Sequence, residues 1–377
     1  MKKVLFLQMF GKSFGGVWQV IKLVGENLVL NDYDVSVISL RENKNNLIIE
    51  ADERIKMYTI NPEDGWEIQL YSDMIKQATK GHILKAVNML YQRIIFNYKL
   101  NKDGDKLRKL IDEINPDKIV VAHYQLLDLL SKKQLKKTIY QQHSSFKFAY
   151  ESKGNWRTLL KYNGKVKYLW LSNASKQQAI DKGLKNNYFI YNSPRFYLDT
   201  RADVCKNKKI ICLSRLSSEK RIDLMVDIVK KAFQKAMDKQ WTMEIYGDGS
   251  EKNKVVEAIG DSSQIKLMGL TTEVKQKLMT SSINLNTSTI EGFSMTILEA
   301  NEAGIPTISF DFGESVYEQI ENDINGYIAS DKEQYIDLLV ELIDNPEKLD
   351  SLSATTKEFA KKFAIEKTIV QWQNLLD

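Results

Sequence analysis

The segment Glu291 to Pro306 contains two glutamates eight positions apart, Glu291 and Glu299, and has the residue types of a ligand-binding turn. Gly292 allows a tight backbone path into a predicted helix. At the start of that helix the N–H groups of Ser294, Met295 and Thr296 have no helical acceptor and would point outward. With the helix dipole behind them, these amides suit an anion such as a diphosphate.

The carboxylates of this segment have separate predicted tasks. Glu299 lies inside the helix, at a distance suited to ribose hydroxyls, and Glu291 lies in the loop, where it could contact a sugar. Isolated glutamates are usually solvated surface charges. The small residues that follow, and the apolar strand after them, instead favour a closely packed site; they are Ala300, Ala303, Gly304 and the strand Thr307–Phe310.

A basic turn, Ser214 to Arg221, follows the predicted strand Lys209–Leu213. Arg215 and Lys220 within it are fixed cations. Such cations stabilise a leaving group that gains negative charge as its bond breaks. A solvated basic turn is the alternative interpretation of an isolated Arg and Lys.

Together, these segments resemble the signature of GT-B-fold glycosyltransferases of family 4, the retaining, metal-independent group. The matching stretches are E-G-F-S-M with L-E-A and G-I-P-T-I, and S-R-L-S-S-E-K-R. The resemblance implies transfer of a sugar from a nucleotide diphosphate, a UDP-sugar being favoured, with no metal and no cofactor. It gives Glu291 to the donor sugar, and Arg215 and Lys220 to the diphosphate. Ser214 replaces the glycine that is usual in this family.

The same resemblance assigns further positions. It places a glycine-rich turn near the donor phosphate, a glycine turn after a strand of the second domain, a nucleobase support, a donor-binding position beside the first glutamate and a histidine next to the reaction centre. These are Gly15 and Gly16, Gly247, Gly269 and Leu270, Phe293, and His143. His123 is the alternative histidine for this role. A lone histidine is more often structural than catalytic, which is the competing interpretation of both.

Short apolar runs alternate with longer amphipathic ones, which predicts parallel sheets with crossover helices. Predicted strands are Val4–Met9, Val35–Leu40, Lys118–Ala122, Lys137–Gln142, Tyr168–Leu171, Tyr188–Ile190, Lys209–Leu213, Trp241–Tyr246, Ile265–Met268, Ile283–Leu285 and Thr307–Phe310. Predicted helices are Val17–Leu30, Ser175–Lys182, Ile222–Met237, Lys252–Ile259, Thr272–Thr280, Met295–Glu302, Ser315–Glu321, Asp331–Ile343, Pro346–Phe363 and Ile365–Leu376.

This α/β pattern predicts two Rossmann-like, doubly wound domains facing a cleft. The boundary falls at the turn sequence Asn-Ser-Pro, which separates residues 1–193 from residues 194–362. The resemblance implies that the first domain binds the acceptor and the second the nucleotide sugar. It also implies that residues 363–377 form a final helix that packs back on the first domain.

Composition limits the class of protein. The 377 residues carry a net charge of only +5 and show no aromatic-basic motif, so a nucleic-acid partner is not predicted. The two cysteines, Cys205 and Cys212, do not form a disulfide framework, which favours a cytoplasmic location. The chain has no apolar run of membrane-spanning length, and its first residues are better explained as a buried strand than as a signal peptide.

Two Asp-x-Asp pairs could suggest a divalent metal, as in the other large glycosyltransferase fold. They are Asp32–Asp34 and Asp103–Asp105. Neither follows a buried strand, so both are interpreted as turn residues and no metal is predicted.

The acceptor is described only by class: a cell-surface glycan, a teichoic-acid-like polymer or a lipid-linked acceptor. A basic amphipathic stretch, Lys76 to Lys109, predicts either a helix packed on the first domain or peripheral contact with an anionic membrane at its inner face. Both interpretations stay open. The Lys, Asn and Ile-rich composition is typical of an AT-rich bacterial coding sequence.

Other classes of protein fit less well. A non-catalytic GT-B partner of an active transferase should lack the glutamate pair or the Arg–Lys pair, and both are present. A sugar epimerase of the same fold typically lacks the Arg–Lys pair together with the glutamate pair. A phosphorylase of this fold is usually much longer than 377 residues.

Overall fold

The computed structural model describes residues 1–11, 15–42, 49–62, 91 and 102–377. Two parallel sheets organise this part of the chain. The first has the order β3-β2-β1-β4-β5-β6-β7. Its strands are β1 (Lys3–Phe10), β2 (Asp34–Arg41), β3 (Lys56–Asn61), β4 (Lys118–Val121), β5 (Thr138–Gln141), β6 (Lys167–Trp170) and β7 (Asn187–Phe189).

The second sheet has the order β10-β9-β8-β11-β12-β13, also fully parallel. Its strands are β8 (Lys209–Leu213), β9 (Thr242–Tyr246), β10 (Ile265–Gly269), β11 (Ile283–Asn286), β12 (Thr307–Phe310) and β13 (Gly326–Ala329). Both sheets reverse their winding direction once, where β4 returns to pair with β1 and where β11 returns to pair with β8. This is the doubly wound arrangement that the alternating pattern predicts. The α/β class is therefore confirmed.

Helices follow the strands. They are α1 (Gly16–Leu30), α2 (102–114), α3 (Lys132–Leu135), α4 (Phe146–Glu151), α5 (Lys153–Lys161), α6 (Asn173–Asp181), α7 (Val204–Asn207), α8 (Ile222–Lys235), α9 (Lys252–Ile259), α10 (Val274–Met279), α11 (Met295–Glu302), α12 (Val316–Gln319), α13 (Lys332–Asp344), α14 (Pro346–Ala360) and α15 (Ile365–Leu376). Short 3-10 turns occupy Tyr124–Leu129, Ser218–Lys220 and Lys361–Phe363.

Strand β1 shows why the central strands are apolar throughout. Leu5 and Leu7 pack into one core cluster, whereas Val4 and Phe6 pack into another. Side chains of a strand alternate between the two faces of its sheet, and both faces of this sheet are covered. A continuous apolar run is therefore required at this position.

Two strands escaped the sequence prediction. β3 is half-exposed along its length and lies at the edge of its sheet, so it lacks the apolar run of a central strand. β13 closes the other sheet with the sequence Gly-Tyr-Ile-Ala, which is too short to show a period. Each pairs along its length with one neighbouring strand, β2 for β3 and β12 for β13.

The last helix, α15, packs on the first sheet rather than on the second. Trp372 is buried against Phe6, with ring centroids 6.2 Å apart. The hydroxyls of Ser193 and Thr368 are 2.7 Å apart, which ties the connecting segment to this helix. The limits 193/194 and 362/363 between the proposed domains remain a prediction.

The interpretation of Asp103 as a turn residue was wrong. It lies in α2, is buried, and forms an ion pair of 2.7 Å with Arg41, which is equally buried. Asp105 pairs with Arg108 one turn further along the same helix. The basic stretch Lys76 to Lys109 lies outside the described residues except for residues 91 and 102–109. In the described part of the chain, no helix combines the length and apolarity needed to cross a bilayer.

Candidate active site

The carboxyl ends of the strands in both sheets carry the predicted site residues. In the second sheet, the loops after β8 and β11 leave neighbouring strands at the reversal of winding. In the first sheet, His123 follows β4 and His143 follows β5. Ligands of open parallel sheets bind at such reversal points, so topology alone gathers these loops into one region.

Glu291 connects the two loops of the second sheet. Its carboxylate forms an ion pair with Lys220 and accepts a hydrogen bond of 2.9 Å from the Ser288 hydroxyl. The Lys220 and Glu291 side chains are mostly buried, being 15% and 17% exposed. A cation and a carboxylate are thus fixed side by side in a sheltered position, where electrostatic interactions are stronger than in bulk water.

Gly292 brings the two domains into contact. A Cβ atom at this position would lie 2.4 Å from the His143 carbonyl oxygen and 2.9 Å from the Ser144 Cα. No side chain can be accommodated there, so the glycine is required by close approach of the two backbones. The loop that carries Glu291 therefore rests directly on the loop that carries His143.

The His143 loop is held by buried polar contacts. The Tyr140 hydroxyl donates to the Gln142 side chain, and the Gln142 amide contacts the Ser144 hydroxyl. Burial, together with the nearby His123, lowers the pKa of His143 to about 3. Burial likewise lowers the pKa of His123 to about 4, and His123 accepts a hydrogen bond of 3.3 Å from the Met9 amide. Both histidines are therefore neutral at physiological pH.

The His143 Nε2 atom is buried and has no hydrogen-bond partner among the described residues. His123 instead has a partner within its own domain. His143 thus has an unused buried polar atom, in the loop on which the loop of Glu291 rests.

Helix α11 begins at Met295 as predicted, and Ser294 is its N-cap residue. The expectation of three free amides was wrong for Ser294, whose N–H donates to Gln319 Oε1 at 2.9 Å. The Gln319 side-chain amide in turn donates to the Ser294 carbonyl at 2.8 Å. Within the described part of the chain, the amides of Met295 and Thr296 make no hydrogen bond. Two amides, rather than three, are thus available at this end.

Glu299 is fully buried, and both of its carboxylate oxygens are held by the Arg195 guanidinium, the second contact at 2.7 Å. Burial raises the pKa of Glu299, and the charge of Arg195 opposes that rise. Sequence reasoning missed Arg195. The only available signal was its position directly after the predicted Asn-Ser-Pro turn.

The Phe293 side chain does not face solvent. It stacks on Tyr191 with ring centroids 5.3 Å apart and contacts Phe363 edge-on at 5.6 Å. Any donor contact at this position must therefore come from the backbone of Phe293, while its ring anchors the loop to the segment that links the sheets.

Arg215 lies in the same basic turn as Lys220, but its side chain is far more exposed. Its side chain is 71% exposed and pairs with Glu219 at 3.5 Å. Lys220 precedes Arg221, a non-glycine residue with a φ of 50°. The Arg221 guanidinium donates to the Thr287 carbonyl at 2.8 Å, which ties the basic turn to the loop after β11.

Gly247 is required where the loops after β8 and β9 meet. Its φ is 154°, and a Cβ would lie 1.8 Å from the Ser214 carbonyl oxygen. The Gly247 amide donates to the Gly269 carbonyl at 2.8 Å. Leu270 follows with a half-exposed side chain. Gly247, Gly269 and Leu270 therefore share the edge that carries the basic turn.

Gly15 is the N-cap residue of α1, and Gly16 is its first residue. Both are exposed, and a Cβ at Gly16 would meet open space. This glycine leaves room for an approaching group. Its position after β1 is on the same edge of the first sheet as His123 and His143.

A second interdomain contact lies beside the site. The Glu318 carboxylate accepts hydrogen bonds from the Asn173 and Ala174 amides at 3.0 and 2.7 Å, and from the Tyr191 hydroxyl at 2.6 Å. These amides begin α6 of the first domain, where the helix dipole favours an anion. The next residue, Gln319, holds Ser294. Adjacent residues of α12 thus contact both the first domain, through Glu318, and the start of α11, through Gln319.

Comparisons with known proteins agree with this geometry. A family model described as Glycosyl transferases group 1 matches residues 207–345. An uncharacterized glycosyltransferase of Haemophilus influenzae is 27% identical over 394 residues, covering 100% of both chains. A poly(ribitol-phosphate) alpha-N-acetylglucosaminyltransferase of Staphylococcus aureus is 26% identical over 201 residues, which are 52% of this chain and 39% of that protein. The chain thus spans about two fifths of that relative.

Solved structures show the same fold. A mutant of TarM from S. aureus, in complex with Fondaparinux, alpha-GlcNAc-glycerol and UDP, has a TM-score of 0.75 at 15% identity over 100% of both chains. HepE of Anabaena with UDP and glucose has a TM-score of 0.73 at 16% identity, covering 100% of this chain and 99% of that one. The paired sheets and the matching second domain lead to one assignment: this chain is a glycosyltransferase of the GT-B fold, similar to family 4, with a second domain of the glycosyl transferases group 1 type.

Proposed function

We propose that the chain is a retaining, metal-independent transferase that moves a sugar from a nucleotide diphosphate, UDP being favoured, to a surface glycan, a teichoic-acid-like polymer or a lipid-linked acceptor. One observation carries the proposal: the loop of Glu291 contacts both Lys220 and the loop of His143. A carboxylate and a cation of the second domain therefore lie in a loop that rests on the backbone of the loop carrying a neutral histidine of the first domain. The first domain, 1–193, would hold the acceptor.

Charge development explains the chemistry of this cleft. The diphosphate gains negative charge as the glycosidic bond breaks. Lys220, Arg215 and the free amides at the start of α11 supply a compensating positive potential. A fixed cation needs no reorganisation at the moment of reaction, so these groups can replace a divalent metal, and no other cofactor is required.

The proposal includes retention of the anomeric configuration. A phosphate oxygen of the leaving group would accept the proton of the attacking hydroxyl, so the acceptor would arrive on the face from which the diphosphate departs. Glu291 would bind a hydroxyl of the donor sugar rather than attack the anomeric carbon. His143, being neutral, would serve as a hydrogen-bond partner for the sugar. Glu299 would bind the ribose.

The relatives support the choice of substrate classes. Structures of TarM and HepE contain UDP, and a relative from S. aureus is named for a ribitol-phosphate polymer. A panel of nucleotide sugars tested by thermal shift should identify the donor, because a ligand that binds only the folded state raises Tm. A UDP-sugar should raise Tm and be turned over equally with and without EDTA. Turnover abolished by EDTA would contradict metal independence.

Variants test the assignment of the site. Glu291→Gln should lower kcat/KM by about 100-fold, the loss typical of one preorganised polar group. Glu257→Gln, an exposed glutamate on α9, is the matched control. NMR of the product should show the anomeric configuration of the donor. Wild-type transfer rates in both Glu291→Ala and Glu299→Ala would show that the donor lies elsewhere.

A further inference from the structure

Positive charge is concentrated in one part of the first domain. Residues 132–185 contain 13 lysines and arginines but only 2 aspartates and glutamates, a net charge of +11 in a chain whose total is +5. The remaining residues are therefore net negative. This separation is hidden in the overall composition, and it creates a local field that favours an anionic partner.

Most of these cations are exposed on the helices of that region. The exposed ones are Lys132, Lys133, Lys136, Lys147, Lys153, Arg157, Lys161, Lys165, Lys182 and Lys185. Within the described part of the chain, Lys161 is the one member of this set with an ion pair, to Asp128. The other nine have no carboxylate partner among the described residues, so their charges are available to a ligand.

Apolar side chains are exposed among the cations. Phe148 and Tyr150 on α4 are 48% and 42% exposed, Leu160 on α5 is 47% exposed, and Ile180 on α6 is 42% exposed. Large apolar groups that cluster on a surface commonly mark an interaction site.

The three helices form one continuous surface around Tyr150. Its ring contacts the Trp156 ring of α5, with centroids 5.0 Å apart, and the Lys182 ammonium beyond α6 lies 5.1 Å from its centroid. We call this surface the α4–α6 face; it consists of Lys147, Phe148, Tyr150, Lys153, Arg157, Leu160, Ile180 and Lys182.

We propose that the α4–α6 face binds an anionic lipid surface. Lysine and arginine side chains are attracted to negatively charged headgroups, while aromatic and aliphatic side chains between them enter the headgroup–acyl boundary. The exposed side chains of Leu160 and Ile180 favour an anionic bilayer over a soluble anionic polymer as the partner. Aliphatic side chains gain from burial in a bilayer but contribute nothing to recognition of a soluble anionic polymer.

The position of the α4–α6 face suggests what membrane binding would achieve. This part of the inference, unlike the binding itself, rests on the proposed function. Helix α4 begins at Phe146, three residues after His143, so the face continues directly from the loop that carries this histidine. A bilayer held there would place lipid-linked acceptors beside the reaction centre. This face differs from the predicted Lys76–Lys109 stretch.

Sedimentation with vesicles tests the proposal on the full chain. Wild-type protein should co-sediment with vesicles that contain anionic phospholipid, but not with purely zwitterionic vesicles. Neutralising Lys147, Lys153, Arg157 and Lys182 together to Gln should reduce the bound fraction at least about tenfold. The matched control neutralises four exposed lysines of the second domain and should bind as wild type: Lys206, Lys235, Lys266 and Lys361.

Apolar variants distinguish the kind of partner. Leu160→Gln with Ile180→Gln should weaken vesicle binding and leave binding of soluble polyphosphate unchanged. The proposal is overturned if the neutralised variant sediments like its control, or if the wild type binds polyphosphate but not vesicles. Hydrolysis of UDP-sugar should be equal in all variants. If the wild type does not hydrolyse any UDP-sugar, the proposed function is contradicted, but the result of the vesicle experiment still stands.

Discussion

The ion pair between Arg195 and Glu299 determines what the second glutamate can do. Glu299 is fully buried, whereas the Arg195 side chain keeps 25% of its surface exposed. A buried carboxylate held in this way is fixed in place before a ligand arrives. Arg195 therefore acts as a positioning residue for Glu299, a task that is separate from binding the donor.

Glu299→Gln should lower the free energy of unfolding by about 2 kcal/mol, because it leaves the Arg195 charge without its partner. The cost is below that of a fully buried pair because water still reaches Arg195. The double variant Arg195→Leu with Glu299→Leu should regain much of this stability. Urea denaturation measures the effect.

Measurements of donor affinity distinguish two roles of Glu299: binding the donor and neutralising the charge of Arg195. The double variant should remain weak in binding the UDP-sugar even where its stability recovers, because the carboxylate is still missing. Full recovery of affinity in calorimetric titration would mean that Glu299 serves only to neutralise Arg195.

The two buried histidines make stability depend on pH. Their pKa values of about 3 and about 4 lie below the ordinary value of 6.5. Below pH 6.5 the unfolded chain therefore binds protons that the folded chain excludes. The free energy of unfolding should fall as pH falls towards about 4, by up to about 1.4 kcal/mol per pH unit for each histidine.

Denaturant unfolding of the wild type and of His123→Asn with His143→Asn checks this dependence. The double variant should show a flatter pH profile in the acid range. Parallel profiles would show that other groups, and not these histidines, control acid stability.

At the scale of elements, the start of α11 is held by a side chain from another helix. Gln319 is fully buried and bonds both the amide and the carbonyl of Ser294. The clamp fixes the direction of the two amides that remain free. In the proposed function, positioning of the diphosphate would thus depend on α12, which has no predicted contact with the donor.

Gln319→Leu should leave the Ser294 amide buried without a partner, at a cost of about 1–3 kcal/mol, while the Ser294 carbonyl keeps its bond from the Leu298 amide. Because misplacement of the amides weakens orientation of the donor, KM for the UDP-sugar should rise by roughly tenfold. Gln276→Leu, an exposed position on α10, is the control. A variant with lower Tm and an unchanged KM would show that the clamp supports the fold alone.

At the scale of the whole molecule, Glu318 fastens one domain to the start of a helix in the other. Its carboxylate accepts two backbone hydrogen bonds from α6 and one from Tyr191. Since charge-assisted bonds at a helix start are strong, this contact favours the closed arrangement of the two sheets.

Glu318→Gln should weaken the contact and shift the free protein towards open forms. Small-angle scattering should then report a larger radius of gyration, and saturating UDP-sugar should restore the wild-type value. Glu321→Gln, nearby and exposed, should change neither quantity. A lower Tm with an unchanged radius would restrict Glu318 to local stability.

The sequence alone determined most of the architecture. Strands such as β8 and β12, and helices such as α9 and α11, begin and end where apolar period and glycine placement predict them. These signals are local, because burial on both faces demands a continuous apolar run and a helix needs its own period. The segment Glu291 to Thr296 was recognisable for the same reason: its residues are contiguous.

Tertiary structure decided what depends on partners that are distant in sequence. Arg195 meets Glu299 across 104 positions, and Glu318 meets Ala174 across 144. No spacing rule connects such residues, so neither contact could be predicted. Asp103 shows the same limit, since only the folded chain brings it to Arg41. Residue types told which chemistry was possible; long-range packing decided which groups were left free to perform it.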